Sequence, residues 1–234
     1  MHTGRGSGVD GRGVDGRGVD GHGLRGILAD AARGVFPPPD GSVTVVPQPS
    51  PREAGVLSFS AHAVVFTDED PAWVHAALAA VPSDPLAAPL CPPFLTAFTE
   101  RTGRVAGNID LLTVAGRLPG EPPLALEPVT DREHPRVVRA LRYREDVRVF
   151  TVDGGVLVLG RGVAGRWECA IEVDEQARGR GLGRALAVSA RHLLPEGEWI
   201  WAQQAPGNAT SVRAFQAAGY RPVGAETLLV VGRP

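Results

Sequence analysis

Apolar residues change their period along this chain, and each change marks an element. From residue 124 onward the alternation is clearest. LALEPV reads as a short strand. In HPRVVRALRYRED the apolar positions Val137, Val138 and Leu141 recur at helical spacing. VRVFTVDGGVLVLGRG reads as two strands around an Asp-Gly-Gly turn, a strong hairpin signal. RWECAIEV is a third strand, LGRALAVSARHLL a helix, EWIWAQQ a strand, NATSVRAFQAAG a helix, and YRPVGAETLLVV the closing strand or strands. The order β-α-β-β-β-α-β-α-β predicts an α/β domain with a mixed sheet over residues 124–234.

Residues 24–123 are richer in proline and mix both periods. SVTVVPQ and GVLSFSAHAVVF read as strands. DPAWVHAALAAVP reads as a helix, with Asp70 as N-cap, Pro71 at the first helical position and Pro82 as the stop. PPFLTAFTERTG reads as a helix closed by Gly103, and NIDLLTVAG as another strand. Pro-Gly-Glu-Pro-Pro at 119–123 looks like a linker. Ahead of all this, residues 4–23 carry GSGVD, GRGVD and GRGVD in tandem, followed by GHGLR. With almost nothing apolar to bury, residues 1–23 are expected to be a disordered low-complexity tail.

Composition narrows the function classes. A net charge of -2 argues against a nucleic-acid partner and gives no sign of a strongly charged substrate. The Asp in each N-terminal repeat cancels its Arg, which weakens an RNA-binding reading of the tail. No apolar run approaches the ~20 residues of a membrane helix, and the start lacks the apolar core of a signal peptide, so cytoplasmic residence is the expectation. Two cysteines make no disulfide framework, and six scattered histidines lack HxH or HxxxH spacing, so no metal is expected. Every one of the 24 basic residues is arginine. That excludes a Walker A lysine and a Schiff-base lysine.

One stretch carries chemistry. QARGRGLGRAL, from Gln176 to Leu186, sets three glycines between a strand and a helix. A strand entering a helix through a Gly-rich turn offers unpaired N–H groups at the positive end of the helix dipole, a natural phosphate site. Arg178, Arg180 and Arg184 add positive charge. The dinucleotide fingerprint GxGxxG fails, because the sixth position is Arg184 counted from Gly179 and Leu186 counted from Gly181.

Gln176-Ala-Arg-Gly-Arg-Gly resembles the [Q/R]xxGx[G/A] signature of the GCN5-related N-acetyltransferase (GNAT) superfamily. CAIEVDEQARGRGLGRAL is similar to that family's fourth-strand and following-helix block, and PGNATSVRAFQAAGYRPVG to the block after it. The resemblance covers roughly residues 124–232. It implies the GNAT fold, a mixed and mostly antiparallel sheet flanked by helices, and acetyl-CoA as acyl donor. The strands around 168–174 and 198–204 are then expected to splay and admit the pantetheine arm. Backbone near Ile171 and Val173 would pair with that arm, and the N–H groups of Arg178, Gly179, Arg180, Gly181, Leu182 and Gly183 would hold the pyrophosphate. Asn208 and Ser211 would lie against the cofactor, and Asn208 also reads as a helix N-cap.

The implied reaction is direct transfer of an acetyl group to a primary amine of a small molecule or peptide. Glu168 and Glu172 share one strand face by their even spacing, and either serves as the candidate base. The competing reading pairs them with nearby arginines such as Arg166. The tyrosine that many family members place on the last helix is Phe215 here, which leaves the acid role vacant. Tyr220 reads as core. Tyr143, on the first helix, reads either as lining the acceptor pocket or as a core or surface residue. Trp167, Trp199 and Trp201 read as packing residues, and Cys169 as a small buried hydrophobe. Residues 24–123 admit two readings, a degenerate copy of the same fold or a cap that shapes the acceptor site or makes a homodimer. Phe215 also keeps open a different class, an acyl-CoA-binding sensor without turnover.

Overall fold

The computed structural model describes residues 23–130, 133 and 135–232. The expected tail, residues 1–23, lies outside the described residues apart from Gly23. The elements run α1 (Leu24–Arg33), β1 (Val43–Val46), β2 (Glu53–Phe59), β3 (His62–Phe66), α2 (Pro71–Ala79), α3 (Pro92–Thr102) and β4 (Arg104–Gly116), then β5 (Glu127–Pro128), α4 (Pro135–Leu141), β6 (Glu145–Val152), β7 (Gly155–Arg161), β8 (Trp167–Val173), α5 (Leu182–His192), β9 (Trp199–Gln204), α6 (Ala209–Ala217) and β10 (Arg221–Val231). From residue 124 this is the order read from the sequence.

All ten strands form one sheet, β1-β3-β2-β10-β4-β9-β8-β7-β6-β5. It is mixed and mostly antiparallel, with parallel pairs at β1–β3 and β8–β9. The sheet does not pause at residue 124. β4, from the N-terminal region, lies between β9 and β10, pairing Leu111–Gly116 with Gln204–Trp199 on one side and Arg104–Val114 with Val231–Arg221 on the other. The 119–123 stretch is the irregular connection between β4 and β5.

Helices cover both faces because the central strands are apolar on both sides. α1 packs on Leu57, Phe66, Leu112, Val114 and Trp201, and α4 packs on Val149 and Val158 of the same face. The alternate residues of those strands point the other way. There Val56, Val65 and Leu229 meet Phe94 and Phe98 of α3, while Leu157, Cys169 and Ile200 meet Leu186 and Ala187 of α5 and Phe215 of α6. α1 has a clear helical pattern, with Leu24, Ile27, Leu28, Ala31 and Ala32 buried and Gly34 (φ 88°) closing it. Arg221 donates to the carbonyls of Ala31 and Ala32, neutralising the negative end of that helix (2.9 and 2.6 Å).

One reading from the pattern needs adjustment. The helix read over HPRVVRALRYRED shortens to Pro135–Leu141, and only Val137 of its three marked residues is buried; Val138 and Leu141 face outward. α2 follows the reading closely, with Asp70 Oδ1 accepting from Ala72 N (2.8 Å).

Candidate functional site

β8 and β9 are parallel neighbours that pair only at Trp167–Ile200 and Glu168–Trp201. Beyond that point β8 stays with β7 as far as Val173, and β9 stays with β4 as far as Gln204. Each strand keeps its other neighbour, so the sheet opens between them, with the backbone of Cys169–Val173 on one wall and Ala202–Gln204 on the other. An extended chain can hydrogen-bond along such an edge as an added strand.

The loop after β8 leads from this gap into α5. Gly179 (φ 75°) and Gly181 (φ 83°) both have left-handed backbone. A Cβ on either would meet nothing within 4 Å, so conformation and not space demands glycine. Gly183 differs. Its φ is ordinary, and a Cβ there would sit at contact distance from Ile171 Cδ1 (3.6 Å), Val173 Cγ2 (3.6 Å) and Ala214 Cβ (3.8 Å). Its place is the packing of α5 and α6 on β8.

No side chain caps α5, and the first amide bonded back to the cap is that of Ala185, on Gly181 O (3.0 Å). The amides of Leu182, Gly183 and Arg184 precede it and have no acceptor inside the helix. Arg178, Arg180 and Arg184 are exposed, and among the described residues none pairs with a carboxylate. Arg178 Nε instead donates to Val173 O (3.3 Å), so one of the backbone groups expected to face pantetheine is taken by this chain's own arginine. Asp174 and Glu175 are exposed just ahead of the loop. Asn208 caps α6, its Oδ1 accepting from Ser211 N (3.1 Å). Free amides beside guanidiniums fit a diphosphate.

The two glutamates on β8 part company. Glu168 is buried, with Oε1 bonded by Arg166 Nε (2.9 Å) and Val163 N (3.3 Å), and Oε2 by Arg144 Nε (3.2 Å). Burial works to raise its pKa, but Arg166 and then Arg144 outweigh that and hold it below the ordinary carboxylate value. A Cβ at Gly162 would overlap this carboxylate. Glu168 is therefore spent in an ion pair, and the base role read for it from the sequence is withdrawn in favour of the competing pairing with Arg166. Glu172 stays exposed further along the wall.

The same face holds three groups that the sequence did not single out, Glu226, Gln203 and Asp110. Arg166, fully buried over the Trp201 ring (5.2 Å), also donates through Nη2 to Glu226 Oε1 on β10 (2.8 Å). Gln203 Nε2 reaches the same oxygen (3.3 Å). Asp110 on β4 is the register partner of Glu226 and lies one residue past Leu111, where β9 ends. Burial and then Glu226 raise the Asp110 pKa. A lone acid inside the apolar run GAETLLVV was the available signal. Its partners come from β4, β8 and β9, and only the folded sheet assembles them.

The aromatic and sulfur groups are structural. Phe215 packs edge-on against Tyr220 (centroids 4.9 Å), and Tyr220 OH donates to Ala187 O (3.1 Å) beside Cys169 Sγ (3.3 Å). Burial pushes the Cys169 thiol up to about 12, and Tyr220 is raised too, by burial and then by Cys169. Trp167 is buried beneath Arg161 and Arg148 (4.2 and 4.7 Å). Trp201 is buried, Trp199 half-buried and Tyr143 exposed. A groove of about 330 Å³ between α4 and β5–β6, lined by Pro128, Val137, Val147 and Phe150 among others, shares no lining residue with the gap. Among the described residues no group of three or more His, Cys, Asp or Glu is placed to hold a metal ion, and no helix is long and apolar enough to cross a membrane.

No protein-family model and no curated protein matches the chain. It is similar to solved structures described as GNAT-family acetyltransferases. One from Colwellia psychrerythraea has TM-score 0.41 and 9% identity over 59% of this chain and 62% of its own. One from Novosphingobium aromaticivorans has TM-score 0.41 and 18% identity over 56% and 68%. A GCN5-related N-acetyltransferase from Kribbella flavida has TM-score 0.40 and 18% identity over 79% and 91%. The chain thus spans less than two thirds of the first of these.

Proposed function

We propose that this chain is a GNAT-type acyltransferase that moves the acetyl group of acetyl-CoA onto a primary amine. The observation that carries the reading is the coincidence of two features. β8 and β9 separate after Glu168 and Trp201, and the wall formed by β8 runs straight into an uncapped helix start flanked by three arginines. The first suits an extended pantetheine arm, the second the pyrophosphate to which it is joined.

In this reading the amides from Arg178 to Gly183 hold the pyrophosphate, with Arg178, Arg180 and Arg184 adding charge. Asn208 and Ser211 lie against the donor from the start of α6. Edge backbone near Ile171 keeps the pantetheine extended, and Arg178 releases Val173 O when the arm enters. The neutral amine attacks the thioester carbonyl carbon and the C–S bond breaks, the sulfur leaving with the electron pair. Glu172 takes the proton from the nitrogen, directly or through water. Phe215 and Tyr220 are packed into the core, so the thiolate is protonated from solvent.

A thiol-release assay with acetyl-CoA and a panel of amines tests this. Turnover is expected, and Glu172→Gln should leave acetyl-CoA affinity in place while lowering turnover at neutral pH. Saturable binding with no turnover on any amine would point instead to a non-catalytic acyl-CoA-binding module. Absence of CoA binding would sink both.

A further inference from the structure

On the α1/α4 face of the sheet, the wall of the gap opposite Glu172 is acidic. Gln203 belongs to the part of β9 that has left β8, and strand alternation puts it on the face of Trp201 and Glu168. Its side chain crosses β4 to reach Glu226 Oε1 (3.3 Å). Asp110, the register partner of Glu226, lies where β9 has ended and no strand covers β4 on that side. Asp110, Glu226 and Gln203 therefore form one polar group from three strands at the lip of the gap.

On this face the guanidiniums of Arg144 and Arg166 pair with Glu168 and Glu226. Glu168 takes both guanidiniums and Glu226 shares one, leaving Asp110 with no ion-pair partner among the described residues. Glu226 is 2% exposed, yet its Oε2 has no hydrogen-bond partner. An orphaned carboxylate oxygen in the interior is destabilising unless a donor reaches it. Asp110 is placed opposite Glu226 by register, without an ion-pair partner of its own among the described residues, and burial and then Glu226 raise its pKa. One ligand answers both features, a cation carrying N–H donors.

We propose that the acceptor is an aliphatic amine with a second ammonium group, and that Asp110 and Glu226, with Gln203 beside them, hold that second group while the first amine reacts. This rests on the acyltransferase reading and adds the substrate class to it. The reacting nitrogen must be neutral, so the carboxylates serve the distal nitrogen and set the length and charge of the substrate. Asp110 is a specificity residue contributed by the N-terminal region, which gives that region a part in the site.

The probes are 1,4-diaminobutane and butylamine, equal in length and differing in one ammonium. Their binding to the full chain saturated with CoA would be measured by calorimetry at fixed ionic strength, since surface attraction alone is screened by salt. The diamine is expected to bind about tenfold to a hundredfold tighter, the worth of hydrogen bonds to a charged group. Asp110→Asn should bring that ratio close to one without moving the unfolding transition. Asp110→Lys, which supplies its own ammonium, should abolish diamine binding. Glu226→Gln is the less clean variant because it also takes from Arg166 one of its two carboxylate partners. Equal binding of the two amines, binding of neither, or an unchanged ratio in Asp110→Asn would overturn the proposal. CoA is titrated separately. If CoA fails to bind while diamine selectivity in its absence follows Asp110, the acyltransferase reading falls and the cation site stands; if CoA binds and selectivity is absent, the reverse holds.

Discussion

Replacing Glu168 by glutamine removes one charge from the interior ion-pair cluster and keeps its shape. The carboxylate now accepts from Arg166 Nε at 2.9 Å, Arg144 Nε at 3.2 Å and Val163 N at 3.3 Å. Removing one partner of a buried pair costs about 3–5 kcal/mol, because the other charge stays behind. Arg166 retains Glu226, and the amide oxygen of glutamine still accepts one bond, which recovers about 1 kcal/mol. The expected loss is about 2–4 kcal/mol. With a urea slope of about 2 kcal/mol per molar, the unfolding midpoint should fall by about 1–2 M. The pH dependence has a definite sign. Glu168 is held below its ordinary value of 4.5, so its contribution is fully present above that pH and is lost as pH falls toward the folded value. The wild type should therefore lose its advantage over Glu168→Gln in acid. A midpoint that stays within about 0.3 M, joined to a loss of turnover at neutral pH, would refute the ion-pair assignment and return Glu168 to the role of base.

Two further outcomes follow from the same geometry. Gly181→Ala forces an L-residue to φ 83° and should cost about 1–2 kcal/mol in thermal unfolding, whereas Gly183→Ala, with ordinary φ and contact-distance neighbours, should stay within about 0.5 kcal/mol or gain helix stability; equal losses would mean that the loop conformation is misassigned. Of the two thiols, Cys91 is half-buried and should react with a thiol reagent at pH 8, while Cys169, buried with its thiol pushed up to about 12, should react only on denaturation; two fast thiols in the native protein would contradict the packing around Tyr220.

Local signals in this chain settled local structure. Asp70 and Pro71 start α2, Gly103 ends α3 in left-handed conformation, and the Asp-Gly-Gly turn joins β6 to β7, because caps and turns are decided by residues within a few positions of each other. The glycine loop was legible for the same reason, since positive φ and a bare helix start are local demands. α1 carries the same kind of local signal, its apolar positions recurring at helical spacing directly after the glycine repeats. Even spacing placed Glu168 and Glu172 on one face, but spacing says nothing of what that face meets. Only the sheet order did that. It put β4 between β9 and β10, brought Arg166 from the start of β8 across Trp201 to Glu226, and left Asp110 beyond the end of β9. Those partners lie from about sixty to more than a hundred residues apart in sequence, and a buried charge's fate is set by which opposite charge the fold brings to it. The conformation of the glycine loop is therefore a property of the sequence, and the acidic lip of the gap a property of the tertiary structure.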